Sequence, residues 1–327
     1  MTTTTTESEA PSGAPSGPTA RPKAVTRLGD RIFSGTALAA GTIILITLAA
    51  VAIFLIVQAI PAFKADTSDN HILEGQPFLA WVWPFVFGTL WASAIALVIA
   101  APIALGIALF ISHYAPRRLA AVLGYVIDLL AAVPSVVFGL WGALTFAPML
   151  VPFYQWLNSN FGWIPIFGGT PSGTGKTILT ASLVLAVMIL PIMTAICREV
   201  FLQTPKLHEE AALALGATRW EMVRMAVLPF ARSGMVSGAM LGLGRALGET
   251  MAVTLVLSPL GIVTFNLLNP ENPTTIPAII ALRFPEAHDE GVSTLIAAGL
   301  ILFIVTFAVN AIARWIVARR AEFSGAN

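Results

Sequence analysis

The segment "QTPKLHEEAALALGATRWEMVRMAVLPF" (residues 203–230) separates two long apolar stretches and is far more patterned than a connector requires. Thr204 can cap a helix that has Pro205 at its first position, because proline needs no hydrogen-bond acceptor there. Gly216, twelve residues after Thr204, is typical of the left-handed residue that ends a helix. This half of the segment therefore predicts one short helix.

The second half of the segment carries another start signal. Thr218 and Glu221 have the T-x-x-E spacing of a capping box, and we expect the helix that follows to end at Leu228 and Pro229. The segment thus predicts two short helices joined by a glycine turn. Such a hairpin either projects from a membrane toward a partner groove or rests on the lipid headgroups.

The composition places the hairpin in an integral membrane protein. Hydrophobic residues make up 57% of the chain and charged residues 11%, which excludes a soluble globular domain. A span needs about 20 mainly apolar residues, and spans in lipid are helical. We predict an all-α protein with six spans, at about residues 33–60, 84–112, 119–147, 178–198, 233–257 and 292–316.

Basic residues predict the orientation of these spans. With a cytoplasmic N-terminus, 14 of the 18 Lys and Arg residues lie in the cytoplasm, Lys64, Lys176 and Arg283 lie outside, and Arg245 lies within the membrane. We expect a multi-pass plasma (inner) membrane protein in contact with lipid, with both termini cytoplasmic. Residues 1–30 have the composition of a disordered tail rather than a signal peptide.

The loop "GGTPSGTGKT" (168–177) is a near match to a nucleotide-binding P-loop. Thr170 stands where the first glycine of G-x-x-x-x-G-K-[ST] is required, and Lys176 is predicted to face outward, away from cytoplasmic ATP. We therefore expect no ATP binding and no enzyme activity in this chain. The scattered histidines and a net charge of +1 favour neither a metal nor a nucleic-acid partner, and we assign no cofactor.

Two predicted external stretches, 147–169 and 258–291, are long for simple connectors. The first is rich in aromatic residues, which suit an interfacial aromatic belt or a docking surface for an external protein. These residues are Phe153, Tyr154, Trp156, Phe161 and Trp163.

The string "EAALALGATRWEMVRMAVLP" (210–229) resembles the EAA loop of ABC-importer permeases, whose pattern is E-A-A, three residues, Gly, nine residues, Ile, one residue, Leu-Pro. The matching residues are Glu210, Ala211, Ala212, Gly216, Leu228 and Pro229. Ala226 stands in place of the isoleucine. The resemblance implies that this loop forms coupling helices, at 204–229, that fit a groove on a cytoplasmic ATPase, so that partner subunits hydrolyse the ATP.

The fifth span begins with "SGMVSGAMLGLGRALGETMAVTLVLS" (233–258), which repeats small residues at intervals of four. Such spacing lets a neighbouring helix approach closely. Gly234, Gly238 and Gly242 form one series at this interval, and Gly244 with Gly248 forms a second.

Arg245 and Glu249 lie four residues apart in this predicted span, on one helix face where they can pair. Charged groups in a bilayer cost a few kcal/mol, so they need a partner or a water-filled cavity. One interpretation is a structural ion pair that bridges two subunits. The other is that Arg245 binds an anion in a translocation pathway, since guanidinium matches the oxygens of phosphate, while Glu249 holds Arg245 in place and moderates its affinity.

The strings "MLGLGRALGETMAVT" (240–254) and "LLAAVPSVVFGLWG" (129–142) resemble the permeases of phosphate-specific ABC importers, most closely the C-type subunit. The resemblance implies a type I importer fold with a core at 84–317, preceded by a first span and external loop at 31–83 and followed by a tail at 318–327. It also implies a second homologous permease, a dimer of ATP-binding subunits and an external phosphate-binding protein. A sulfate or molybdate permease, and a secondary transporter or channel acting alone, remain alternatives.

Overall fold

The computed structural model describes residues 28–64 and 70–321. Within these ranges the regular structure is helical, which confirms the all-α prediction. The helices are α1 (Leu28–Lys64), α2 (Phe78–Leu109), α3 (Arg117–Ala131), α4 (Ser135–Trp141), α5 (Ala147–Phe161), α6 (Ile178–Leu202), α7 (Lys206–Ala214), α8 (Arg219–Met222), α9 (Leu228–Gly248), α10 (Met251–Val256), α11 (Ile276–Arg283) and α12 (Glu290–Ala321). Of the two predicted tails, residues 28–30 begin α1 and 318–321 end α12, while the remainder lies outside the described residues.

The chain divides into two units after Val51, within α1. In the first unit the side chains from residue 31 to residue 51 are exposed, although most of them are apolar. An apolar surface of this extent needs lipid or another apolar partner. In the second unit the end of α1 buries Ala59 and Ala62 in a cluster with Trp81 of α2 and Leu295 of α12.

Six helical stretches among the described residues are long and apolar enough to cross a membrane, as the sequence predicts. They are Arg31–Phe63, Phe78–Tyr114, Ser135–Phe161, Ile178–Leu202, Arg219–Gly248 and Glu290–Trp315. Consecutive spans cross in opposite directions when the loops between them do not span the membrane. The described chain therefore places the connections after the second and fourth spans on one side, and those after the third and fifth on the other.

The third span lies further along the chain than the predicted 119–147, and that prediction is wrong in its position. Residues 117–131 form the separate helix α3, and the long apolar helix is Ser135–Phe161. Pro134 explains the shift, because proline disfavours helical backbone in the residue before it and begins a new helix readily. The aromatic stretch at 153–161 consequently belongs to the span rather than to an external loop.

The second and fourth spans build the centre of the second unit through a stripe of alanines. One face of α2 presents an alanine every four residues, each fully buried, and several of them pack with Leu185, Met188 and Ile189 of α6. The alanines are Ala92, Ala96, Ala100, Ala104 and Ala108. Small side chains at this spacing let two helices approach closely in a membrane.

The loops at 162–177 and 258–275 pack against each other. The Leu267 amide donates to the Ile166 carbonyl at 2.8 Å, and the Ser172 amide donates to the Leu268 carbonyl at 2.8 Å. Beyond these bonds the chain returns to α2, where the Ile276 amide donates to Thr89 Oγ1 at 2.9 Å. The end of the first predicted connector and the start of the second therefore form one folded patch, whereas residues 147–161 belong to α5 and residues 276–283 to α11.

Candidate functional site

The hairpin between the fourth and fifth spans has the predicted glycine turn. Gly216 adopts the left-handed conformation, with φ at +85°. Its amide donates to the Leu213 carbonyl at 3.0 Å, and the Ala217 amide donates to the Ala212 carbonyl at 3.2 Å. These bonds satisfy carbonyl groups at the end of α7 and reverse the chain into α8.

The two start signals in the hairpin differ in outcome. The capping box is confirmed: the Glu221 amide donates to Thr218 Oγ1 at 3.3 Å, and the Thr218 amide donates to Glu221 Oε2 at 2.8 Å. The cap predicted at Thr204 is wrong, because the Thr204 amide donates to the Phe201 carbonyl at 3.3 Å and so belongs to the last turn of α6. Pro205 occupies the cap position of α7 without a side-chain hydrogen bond.

The second helix does not end at Leu228 and Pro229 as predicted. Residues Val223–Val227 form a π-helical turn, in which the Leu228 amide donates to the Val223 carbonyl, and the chain continues directly into α9. A proline inside an α-helix clashes with the carbonyl four residues earlier, and the wider π turn relieves that clash. Helix Arg219–Gly248 therefore joins the hairpin to the fifth span without a loop.

The hairpin exposes apolar side chains at its tip. Leu215 is 90% exposed and Leu207 is 75% exposed, whereas Ala212 packs on the cluster that includes Phe201 and Val223. The remaining residues of the EAA pattern are exposed except for the half-buried Leu228. An apolar tip with small residues beside it suits insertion into a groove on another protein.

A side-chain contact ties the hairpin to the second span. Nε2 of His113, in the π-helical turn Phe110–Tyr114 that ends this span, lies 3.5 Å from Oε1 of Glu209 on α7. The His113 side chain is 8% exposed, and its Nδ1 lies 2.7 Å from the Ser112 hydroxyl. The hairpin is thus attached to the fourth and fifth spans by the backbone and to the second span by side chains.

Three of the five predicted packing glycines face α6. A Cβ atom at Gly234 would lie 2.5 Å from the two methyl groups of Val200, and one at Gly242 would lie 2.9 Å from Met193. Gly238 faces Ile196 and Cys197.

The other two glycines of the fifth span are open. A Cβ atom at Gly244 or Gly248 would have no described atom within 4 Å. Gly244 instead lines a cavity beside Arg245.

The cavity beside Arg245 has a volume of about 790 Å³ and lies between α6, α9 and α12. Its polar lining consists of Arg245 and Ser237 from α9 with Asn310 and Arg314 from α12. Arg245 is half-buried and lines the cavity. Asn310 and Arg314 were not among the residues singled out in the sequence, because periodicity within α9 carries no information about α12.

The structure corrects the expected pairing of Arg245 with Glu249. Helix α9 ends at Gly248, and Glu249 has extended backbone, with φ at −69° and ψ at 125°. The i, i+4 spacing brings side chains together only within a continuous helix. Glu249 is 8% exposed, and its Oε1 accepts a hydrogen bond from the Ala252 amide at 3.2 Å, so its carboxylate caps α10.

The near match to a P-loop has structural roles. Gly175 has φ at +72°, and a side chain there would collide with the Ala147 carbonyl. Thr177 caps α6 by accepting a hydrogen bond from the Thr180 amide at 3.2 Å. The Thr180 hydroxyl donates to the Gly175 carbonyl at 2.5 Å and lies 2.6 Å from the buried Tyr154 hydroxyl. These contacts give Gly175 and Thr177 structural roles in the loop and at the start of α6.

Comparison with known proteins identifies the family. Residues 102–322 match the model of the family described as "Binding-protein-dependent transport system inner membrane component". The chain belongs to this family. The permease is 48% identical over 298 residues to "Phosphate transport system permease protein PstC 2" of Mycobacterium tuberculosis, a match that covers 88% of this chain and 91% of that protein.

Further relatives extend the same comparison. The permease is 41% identical over 312 residues to "Phosphate transport system permease protein PstC" of Mesorhizobium japonicum, covering 91% of this chain and 93% of that protein. The resemblance to phosphate-importer permeases is therefore confirmed. A chain of a bacterial ABC transporter that imports alginate superimposes with a TM-score of 0.56 at 18% identity, over 88% of this chain and 96% of that chain, which confirms the importer fold.

Proposed function

We propose that this permease is one membrane-spanning subunit of an ATP-driven importer of inorganic phosphate. In this proposal a second homologous permease completes the pathway, a dimer of ATP-binding subunits drives it, and an external binding protein delivers the anion. Both termini and the hairpin face the cytoplasm. The proposal is supported by the names of the relatives that match most of the chain, and by the cavity that Arg245 lines.

The observation that carries the coupling mechanism is the continuity of helix Arg219–Gly248. From Arg219 to Arg245 the helix rises about 39 Å at 1.5 Å per residue, so one rigid element connects the hairpin to the cavity. When the ATP-binding subunits close, they displace the hairpin, and the helix carries that displacement to Arg245. The pathway then alternates between its two openings.

The anion role of Arg245 rests on its surroundings. Its guanidinium lines a cavity whose other walls are largely apolar, and no ion pair joins it to a carboxylate among the described residues. A guanidinium in such a place is stabilised by a bound anion, and its planar fork fits two oxygens of a tetrahedral oxyanion. Glu249 acts indirectly: its carboxylate accepts a hydrogen bond from the Ala252 amide in the first turn of α10 and so fixes the backbone that follows the end of α9.

The experiment is labelled-phosphate uptake in cells that lack this chain, restored with the wild type, Arg245→Ala or Arg319→Gln at matched membrane levels. Arg319 is a control arginine because its guanidinium lies 4.1 Å from the ring centre of Trp315, outside the cavity. We expect uptake with the wild type and Arg319→Gln, and loss of uptake with Arg245→Ala while the ATP-binding subunits still co-purify.

Three different results would contradict the role of Arg245, the phosphate cargo and the partnership with ATP-binding subunits. Normal uptake with Arg245→Ala refutes the anion role of that residue. If the wild type restores sulfate or molybdate uptake but not phosphate uptake, the cargo assignment is wrong. Failure of the wild-type chain to retain any ATP-binding subunit after mild solubilisation supports a transporter that acts alone.

A further inference from the structure

We propose that Arg314 and Asn310 on α12 form a second oxyanion-binding position, in the same cavity as Arg245 but nearer the hairpin side of the membrane. This inference rests on the proposed function, because it assumes that the cavity conducts an oxyanion. It adds a second oxyanion-binding position, on a different helix, to Arg245, the single membrane arginine that the sequence indicates. The oxyanion passes from Arg245 to Arg314 before it leaves the protein.

The relative position of the two arginines follows from the topology. Helices α9 and α12 are consecutive spans and cross in opposite directions, so residues late in α12 lie level with the earlier part of α9. Arg245 lies three residues before the end of α9, whereas Arg314 lies seven residues before the end of α12. On α9 the cavity lining runs from Val236 to Arg245, which is about 13 Å of helix. The cavity is therefore elongated along the direction of transport.

The charge of the cavity supplies the second argument. Its described lining residues include two guanidinium groups and no carboxylate, and neither guanidinium takes part in the ion pairs found in the described chain. The remaining lining is mainly apolar, from residues such as Ile192, Met240 and Leu241. Two like charges in one largely apolar cavity repel each other and attract an anion strongly, because such walls screen charge less than water does.

The neighbouring residues suit binding followed by release. Asn310 lies one turn before Arg314 on the same helix face and supplies an amide group for the oxygens of the anion. Arg314 is exposed, whereas Arg245 is half-buried, so Arg314 encloses an anion less completely than Arg245 does. Transfer to the more exposed arginine therefore favours departure toward the hairpin side.

A simpler role for Arg314 is that of an interfacial anchor, in which a long basic side chain reaches the lipid headgroups. Arg319 provides the matched control for this role, because it lies on the same helix, carries the same charge and stacks on Trp315. An anchor role predicts that Arg314→Gln and Arg319→Gln behave alike. A binding role predicts that Arg314→Gln changes the binding and transport of the anion, whereas Arg319→Gln does not.

The first measurement is uptake by the complete transporter reconstituted in vesicles, driven by ATP and the external binding protein. We expect Arg314→Gln to lower the maximal rate roughly tenfold, the value of one charge-assisted hydrogen bond, and to leave the KM for loaded binding protein unchanged. Arg314→Lys should recover most of the rate, and Arg319→Gln should match the wild type. Equal maximal rates of uptake for the wild type and Arg314→Gln would refute the second oxyanion-binding position.

The second measurement detects the anion directly and does not depend on turnover. The chain has one cysteine, Cys197, which is fully buried, so a cysteine introduced as Ala313→Cys reports on the cavity. We expect inorganic phosphate to slow the reaction of Ala313→Cys with an anionic thiol reagent in the assembled transporter. Protection by phosphate should be lost when Ala313→Cys is combined with Arg314→Gln, and kept when it is combined with Arg319→Gln.

The two measurements separate failure of this inference from failure of the proposed function. If wild-type vesicles take up no phosphate, the cargo assignment fails. If wild-type vesicles take up phosphate, and phosphate protects Ala313→Cys equally with and without Arg314, the second oxyanion-binding position is refuted while the proposed function stands.

Discussion

Gly234 and Gly244 lie in the same helix, each in a series of glycines four residues apart, yet the structure gives them opposite roles. A Cβ atom at Gly234 would lie 2.5 Å from both methyl groups of Val200 and 2.9 Å from its Cβ, whereas one at Gly244 would meet no described atom within 4 Å. We therefore predict that Gly234→Ala lowers the stability of the folded chain and that Gly244→Ala raises it.

The expected magnitude combines two opposing effects. Alanine stabilises a helix interior by about 1 kcal/mol relative to glycine, and this gain applies to both variants. At Gly234 the new methyl group also overpacks the contact with α6, which costs about 1–3 kcal/mol, and Val200 moves aside poorly because a β-branched side chain has one favoured rotamer in a helix. The helix gain cancels in the comparison, so the two variants should differ by about 1–3 kcal/mol.

The assay is thermal unfolding of the full-length chain in detergent, followed by tryptophan fluorescence, with the two variants prepared in parallel. The variant Gly234→Ala should unfold at a lower temperature than Gly244→Ala. Val200→Ala should then restore part of the stability of Gly234→Ala, since it removes the methyl groups that collide, and this coupling appears in a double-mutant cycle. Equal unfolding temperatures, or no coupling with Val200, would refute the packing assigned to α6 and α9.

Three further predictions concern single contacts. Glu209→Gln weakens the link to His113, worth up to about 1 kcal/mol, so we expect phosphate transported per ATP to fall in reconstituted vesicles; an unchanged ratio would show that the link has no part in coupling. Gly175→Ala forces a side chain against the Ala147 carbonyl, so thermal unfolding should occur at a lower temperature, and unchanged unfolding would contradict that contact. Thr218→Ala removes the capping box and should cost about 1 kcal/mol locally, seen as faster amide hydrogen exchange at 219–222; unaltered exchange would count against the cap.

Local signals in the sequence were reliable where the structure depends on neighbouring residues. The turn at Gly216 and the capping box at Thr218 form as predicted, because each is satisfied by backbone groups within a few residues. The number of spans follows from apolar length alone. The alanine stripe of α2 is also visible in the sequence, where its four-residue spacing is a packing signal.

The sequence predicts the wrong local structure where two local signals compete. Pro134 lies inside a long apolar run that predicts a single span, yet it separates α3 from the third span. Pro229 was interpreted as a helix end, but the π turn at 223–227 allows the helix to continue. Glu249 was assigned to the helix of Arg245, although the backbone changes direction after Gly248. In each case the outcome depends on the packing of a longer segment.

The sequence alone determined that this protein crosses a membrane six times, that a glycine-centred hairpin separates the fourth and fifth spans, and that an arginine lies within the fifth. Only the tertiary structure decided that Gly234 packs on α6 while Gly244 opens into a cavity, and that Arg314, 69 residues after Arg245, shares that cavity. The reason is physical. Helix formation and membrane crossing depend on residues close together in the chain, whereas cavities and close contacts depend on how separate helices pack.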